Sequence, residues 1–171
     1  MLPEMIKDGN LFVDGEGFAG RIKELNLPEI GMETQELKAG GMAAPIDIDM
    51  GLKKLDGASI MLHEFNPTIL KTFGVVDGGA VLFRAKFAAE RDDASTNLSQ
   101  IDVVMRGRIR DIKSDAFKKG DEMGMTIDLS LKYYSYTQNG EELIKIDAEN
   151  AVFVVGGVDR YAERRAALGI N

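Results

Sequence analysis

Four groups of residues have types and spacings that could carry chemistry. Gly15-Glu16-Gly17-Phe18-Ala19-Gly20 matches G-x-G-x-x-G, and Phe18, Arg21, Ile22 and Leu25 can be read with helical spacing. In a dinucleotide site such glycines open a helix whose N-terminus faces the pyrophosphate, within a βαβ unit. Here Pro28 and an irregular segment arrive where the second parallel strand belongs, so the run reads as a Gly-rich hairpin connection, with a nucleotide site as the alternative. His63 is the only histidine, and a hydrolytic triad or a multi-histidine metal site would have to be built around it alone. Its neighbours Met61-Leu62 and Glu64-Phe65 are strand-like, which favours a sheet-face or subunit-contact histidine. Asp47 and Asp49 share a strand face and Asp92-Asp93 lies in a polar loop. Neither pair has the ligand spacing of a calcium loop, so solvated carboxylates are expected. Arg106, Arg108 and Arg110 alternate and would project from one face of a strand. No aromatic residues interleave with them as on a base-stacking platform, so pairing with carboxylates, within the chain or across an interface, is expected rather than nucleic-acid contact.

The elements that would hold these residues are mostly strands. Asn10 to Asp14 is strand-like and is followed by a glycine turn at Asp14-Gly15-Glu16-Gly17, with a return strand expected over 18–27. From Pro28 to Pro45 the pattern breaks down around Gly40-Gly41. Structureless connections longer than roughly 12–15 residues are uncommon in compact domains, so this segment is expected to be an arm or an extended hairpin. Ile46 to Met50 alternates and 58–65 supplies another strand. Asn66-Pro67 through Gly74 has the punctuation of a short helix, with Ile69, Leu70 and Phe73 pinning one face. Long strands follow over 80–89, 100–112 and 125–137, the last with Ile127, Leu129, Leu131 and Tyr133 on one face. Asn139-Gly140 is the strongest hairpin signal, leading into 141–147, and after the apolar run 151–155 a C-terminal helix is expected over 159–168, capped by Asp159 and ended by Gly169.

Composition bounds the function. The chain has 171 residues with 44% hydrophobic and 29% charged, the balance of a folded protein. It has no cysteine, which excludes a disulfide scaffold, a zinc ribbon and a thiol enzyme. The N-terminal residues lack a basic n-region and an apolar h-region, and no run approaches a membrane span, so cytoplasmic synthesis without a membrane anchor is expected. The net charge of −7 would on balance repel a polyphosphate, which disfavours sequence-independent nucleic-acid binding. No tandem repeat or Ser/Pro-rich linker divides the chain, and one mainly β domain is expected over 1–171, with the arm around 28–45.

A self-contained monomer leaves three things unexplained: long strands with edges to manage, a Gly/Pro-bounded arm, and the lack of a catalytic set. Unpaired edges invite partner strands, and identical subunits joined edge to edge around an axis close into a common barrel that head-to-tail contacts can stack.

The run Gly40-Gly41-Met42-Ala43-Ala44-Pro45-Ile46-Asp47-Ile48-Asp49-Met50-Gly51-Leu52, then Val103 to Arg108, Asn139 to Asp147 and Gly157-Val158-Asp159-Arg160, together with the opening Asn10 to Gly15, resembles the major tail tube protein of contractile-tailed phages. The tube protein of contractile R-type bacteriocins is similar. The resemblance runs in order over nearly the entire chain. It implies an antiparallel β-sandwich or partial barrel with a short flanking helix and a C-terminal helix. It further implies hexameric rings stacked as the inner tail tube, with a channel that conducts DNA or ions and no enzymatic activity, cofactor or metal.

The partners it implies are the chain itself, the tail sheath protein, the baseplate hub or initiator, the tape measure protein and the tail terminator. The location it implies is the tail of a virion or tailocin assembled in the bacterial host cytoplasm, without sequence-specific nucleic-acid binding. Glu33, Gln35, Lys38, Gly40, Gly41, Met42 and Pro45, with Arg106, Arg108, Asp159 and Arg160, are the expected inter-subunit contacts. The alternatives are a tube component of a type VI-like secretion system and, from a different class, a small β-barrel ligand-binding protein.

Overall fold

Alternation of apolar and polar residues over unusually long stretches becomes three long neighbouring strands: β7 (Val81–Glu90), β8 (Ser99–Ser114) and β9 (Met125–Gln138). The computed structural model describes residues 2–74, 78–93 and 97–170. The remaining strands are β1 (Met5–Val13), β2 (Glu16–Gly17), β3 (Ile22–Asn26), β4 (Met32–Leu37), β5 (Ile46–Leu52), β6 (Ser59–Leu62), β10 (Glu141–Asp147), β11 (Val152–Val155) and β12 (Val158–Asp159). Two short helices, α1 (Pro67–Thr72) and α2 (Ala162–Ala167), complete the set among the described residues. The expected mainly β, antiparallel class is what the structure shows.

Ten strands form one sheet along the path β12-β11-β10-β9-β8-β7-β1-β2, with β3 and β6 attached through β9. β8 lies along one side of β9 for nearly its whole length, whereas the other side pairs first with β6 and then with β10. This change of neighbour lets the sheet turn over on itself and enclose a core that includes Leu11, Phe18, Ile60, Phe83, Met105 and Ile127. The switch coincides with a register shift between Arg106/Gly107 and their partners Tyr133 and Leu131. Because side chains alternate with a period of two, one extra residue in β9 exchanges its faces. Leu129 and Leu131 therefore point inward, but Tyr134, not Tyr133, is the buried residue beyond the bulge. The expectation that Tyr133 continues the Ile127 face is thus corrected.

Two expected hairpins form as read. Asp14 (φ 47°) and Gly15 (φ 88°) join β1 to β2, and Asn139 (φ 51°) and Gly140 (φ 80°) join β9 to β10. Two consecutive positive φ values are what a two-residue type I′ turn requires. The return strand over 18–27 does not form as one piece. β2 ends at Gly17 because Phe18 turns fully into the core, and β3 pairs with β6 instead of β1. The helix α1 has the expected Asn66 cap, whose side chain accepts from the Thr68 amide at 2.9 Å. Only Ile69 pins it: Leu70 and Phe73 are exposed, because a helix this short rests a single residue on the sheet. The C-terminal helix begins three residues later than expected, since Asp159 belongs to β12 and Tyr161 occupies the cap. It ends as read, with Gly169 at φ 70° and the Ile170 amide donating to the Arg165 carbonyl, a Schellman closure.

The segment around 28–45 is an extended hairpin. β4 pairs only with β5 in a separate two-stranded sheet, and its stem is tied by the Lys53 amide to the Gly31 carbonyl and the Glu29 amide to the Asp56 carbonyl.

Candidate assembly surfaces

The hairpin has two dissimilar faces. Register places Leu37 opposite Ile46 and Gln35 opposite Ile48, while Glu36 stands opposite Asp47 and Thr34 opposite Asp49. One face is thus largely apolar and the other acidic, and both are exposed, with Ile46 50% and Met50 56% accessible. None of its residues from Glu33 to Met50 belongs to the core cluster. The tip holds Lys38, Gly40, Gly41, Met42 and Pro45, all exposed, with Gly41 at φ 86° closing the turn. A two-stranded ribbon is only marginally stable alone, and like charges directly across strands destabilise it further. Such a ribbon gains order by lying against something else.

A second open feature is β1. It pairs with β7 along its length, but β2 covers only Phe12 and Val13 on the other side. The remaining edge carries exposed Met5 and Ile6. β2 and β12, at the ends of the main strand path, have two residues each.

The arginine stripe does share one exposed face of β8, but its members have different surroundings. Arg106 lies over the Tyr133 ring with its guanidinium carbon 5.1 Å from the centroid. Arg110 contacts Asp56 at 3.2 Å and Asp111 at 3.0 Å, which raises its pKa and helps lower that of Asp56, whose leading cause is the Gly57 amide. Arg108 makes no ion pair among the described residues. Of the three arginines, Arg110 alone pairs with carboxylates among the described residues. On the same face the Arg84 guanidinium grips Asp102 and holds its carboxyl below the usual range. That pair was not legible in the sequence, because residues 84 and 102 meet only through the β7–β8 register.

At the C-terminal corner, the Asp159 carboxylate accepts from the Tyr161 amide at 3.0 Å and binds the Arg165 guanidinium, which also reaches the Ala151 carbonyl. The guanidinium of Arg165, followed by the Tyr161 amide, lowers the Asp159 pKa. Arg160 is exposed. Asp159 is thus engaged inside the chain, and the sequence reading missed its partners Tyr161 and Arg165, although their offsets of two and six residues around a turn were a usable signal.

The candidates for bond-making chemistry are not brought together. Gly15 to Gly20 is a hairpin turn followed by the buried Phe18 and a second turn at Gly20. His63 sits just past β6 with Nδ1 2.6 Å from Glu122, whose pKa this contact lowers. Among the described residues no group of three or more His, Asp, Glu or Cys stands close enough to hold a metal. An open groove of about 780 Å³ beside Asn10, Gly20, Lys86, Phe87 and Asp102 lies on the sheet surface rather than in an enclosed cavity.

Solved structures from contractile injection systems share the fold of this chain over most of its length. The sheath/tube terminator structure of an extracellular contractile injection system (PVC) superposes with a TM-score of 0.58 at 12% identity, covering 80% of this chain and 98% of that one. A chain of the anti-feeding prophage baseplate, 6-fold symmetrised, does so at 0.50 and 9% identity, covering 80% and 97%. Residues 3–169 match the phage tail tube protein FII family, and the chain belongs to that family. The tail tube protein of Escherichia phage P2 is 29% identical over 99% of each chain. The major tail tube protein of Serratia phage KSP20 is 30% identical, covering 99% of this chain and 98% of that one. The family is one of structural tail tube proteins, and the chain is a tail tube protein rather than an enzyme.

Proposed function

We propose that copies of this chain join into hexameric rings that stack as the inner tube of a contractile tail, with a central channel for DNA or ions during injection. The observation that carries this reading is the exposed two-faced hairpin, which contributes no residue from Glu33 to Met50 to the core and presents Leu37, Ile46, Ile48 and Met50 outward. An apolar surface of that kind on a subunit of this family is a contact surface. The open edge of β1 supports sheet continuation between neighbours within a ring. The 6-fold symmetrised baseplate of the structural relative supports the count of six, and the sheath/tube terminator supports a tube that works with a sheath and a terminator.

In this reading the whole chain acts as one tube domain. Glu33, Gln35, Lys38, Gly40, Gly41, Met42 and Pro45 contact an adjacent subunit or ring, and Arg106 and Arg108 find carboxylates of a neighbour. Sheath, baseplate initiator, tape measure and terminator are the further partners, and assembly takes place in the host cytoplasm. Electron microscopy of the purified chain, alone and with its baseplate complex, tests the proposal. Rings or tubes are expected, and a particle that stays monomeric at all concentrations with a competent baseplate would overturn it.

A further inference from the structure

The hairpin leaves the body of the molecule at Gly51, and the C-terminal corner closes on that point. Gly51 has φ 110°, a conformation closed to most side chains, and its amide donates to Asp49 Oδ1 at 2.7 Å. The next amide, of Leu52, donates to the Tyr161 hydroxyl at 3.0 Å. A Cβ on residue 51 would stand 3.3 Å from that hydroxyl and 3.4 Å from Arg164 Nη1, so the two segments are in close approach. Tyr161 is itself held from several sides. Its ring meets Phe153 of β11 edge-on at 5.4 Å, the Arg164 guanidinium carbon lies 4.4 Å from its centroid, and its amide is fixed by Asp159. No residue of α2 is buried, so core packing does not account for this arrangement.

We infer that Tyr161 is a positioning residue: its hydroxyl, held by the Asp159–Arg165 corner, sets the direction in which the β4–β5 hairpin projects and so readies the subunit for addition to a tube. The inference rests on the tube reading above for its consequence, but its local part does not. A ribbon hinged at a glycine samples many directions, and each new subunit must lose that freedom on joining. A fixed hairpin has already lost it, so association is faster and tighter. The same bond means that the C-terminal segment and the hairpin, about a hundred residues apart in sequence, loosen together.

Tyr161→Phe keeps the ring against Phe153 and Arg164 and removes only the acceptor. In the full chain, amide exchange at Leu52 and through β4–β5 is expected to rise roughly fivefold to tenfold while exchange in β9 around Ile127 stays unchanged. Elongation from a baseplate seed is expected to slow severalfold. Asp159→Asn loosens the corner that holds the same hydroxyl, and combined with Tyr161→Phe it is expected to raise Leu52 exchange little beyond Tyr161→Phe alone. Unchanged exchange at Leu52 overturns the inference, as do faster exchange with wild-type elongation, slower elongation accompanied by equal loosening of Ile127, and strictly additive variants. Absence of tubes from the wild-type chain with its baseplate counts against the tube reading instead, and the Leu52 exchange then still decides whether the clamp exists.

Discussion

At the scale of single residues, Gly107 illustrates how a close approach selects a side chain. It lies between Arg106 and Arg108 where the β8–β9 register shifts, and a Cβ there would fall on the Ser130 carbonyl and 2.8 Å from Leu131 Cα. Backbone cannot give way as a flexible side chain can. Gly107→Ala is expected to cost about 2 kcal/mol or more, seen as a melting temperature lower by roughly 4–8 °C. The flanking arginines make a different prediction. A channel for DNA should not hold phosphate at many points, since each added Lys or Arg contact steepens and strengthens binding. In an assembled ring Arg106 and Arg108 should therefore be paired or directed away from the bore, and a ring structure with both guanidiniums unpaired in the channel would contradict this. Asp159 adds a pH dependence. Arg165 lowers its pKa from the ordinary 3.8, so its contribution is present above that value and is lost as pH falls through the depressed one. Amide exchange at Tyr161 and in α2 should rise in acid below about pH 4, and Asp159→Asn should flatten that dependence.

At the scale of elements, the hairpin and the long strands separate two duties. Ile46 and Ile48 are exposed and outside the core, so Ile46→Ser with Ile48→Ser should change the stability of the free chain by no more than about 0.5 kcal/mol per site. The same pair should abolish or greatly shorten tubes in electron micrographs, and tubes of normal length would show that this face is not a contact. Much of the element inventory was legible. Asp14-Gly15 and Asn139-Gly140 announce their turns because few other residues accept positive φ, and Asn66-Pro67 announces α1 because a helix start has unpaired amides to satisfy. The return strand over 18–27 was not legible, because an alternating pattern states that a strand exists but not which partner it takes. β3 pairs with β6 rather than β1 once Phe18 is drawn into the core. The face exchange at Tyr133 escaped for a similar reason: a bulge is a property of two strands in register.

At the scale of the whole molecule, a subunit of net charge −7 must overcome repulsion to join its copies. Raising ionic strength from about 0.01 M to 0.15 M shortens the screening length from roughly 30 Å to 8 Å. Light scattering should then show faster elongation from a seed, because apolar ribbon contacts and sheet continuation lose little to salt while the repulsion is screened. An unchanged or falling rate would mean that ion pairs between subunits dominate. Composition, punctuation and order along the chain by themselves determined the antiparallel class, the turns, an arm or hairpin around 28–45 and the family resemblance, since local backbone preferences and hydrophobic periodicity act over a few residues at a time. Only the tertiary structure decided which strand is the neighbour of which, that Arg84 meets Asp102, that Arg110 is compensated while Arg108 has no ion pair among the described residues, and that Tyr161 closes on the hairpin at Leu52. Those outcomes depend on register and on packing between distant segments, and no local preference encodes them.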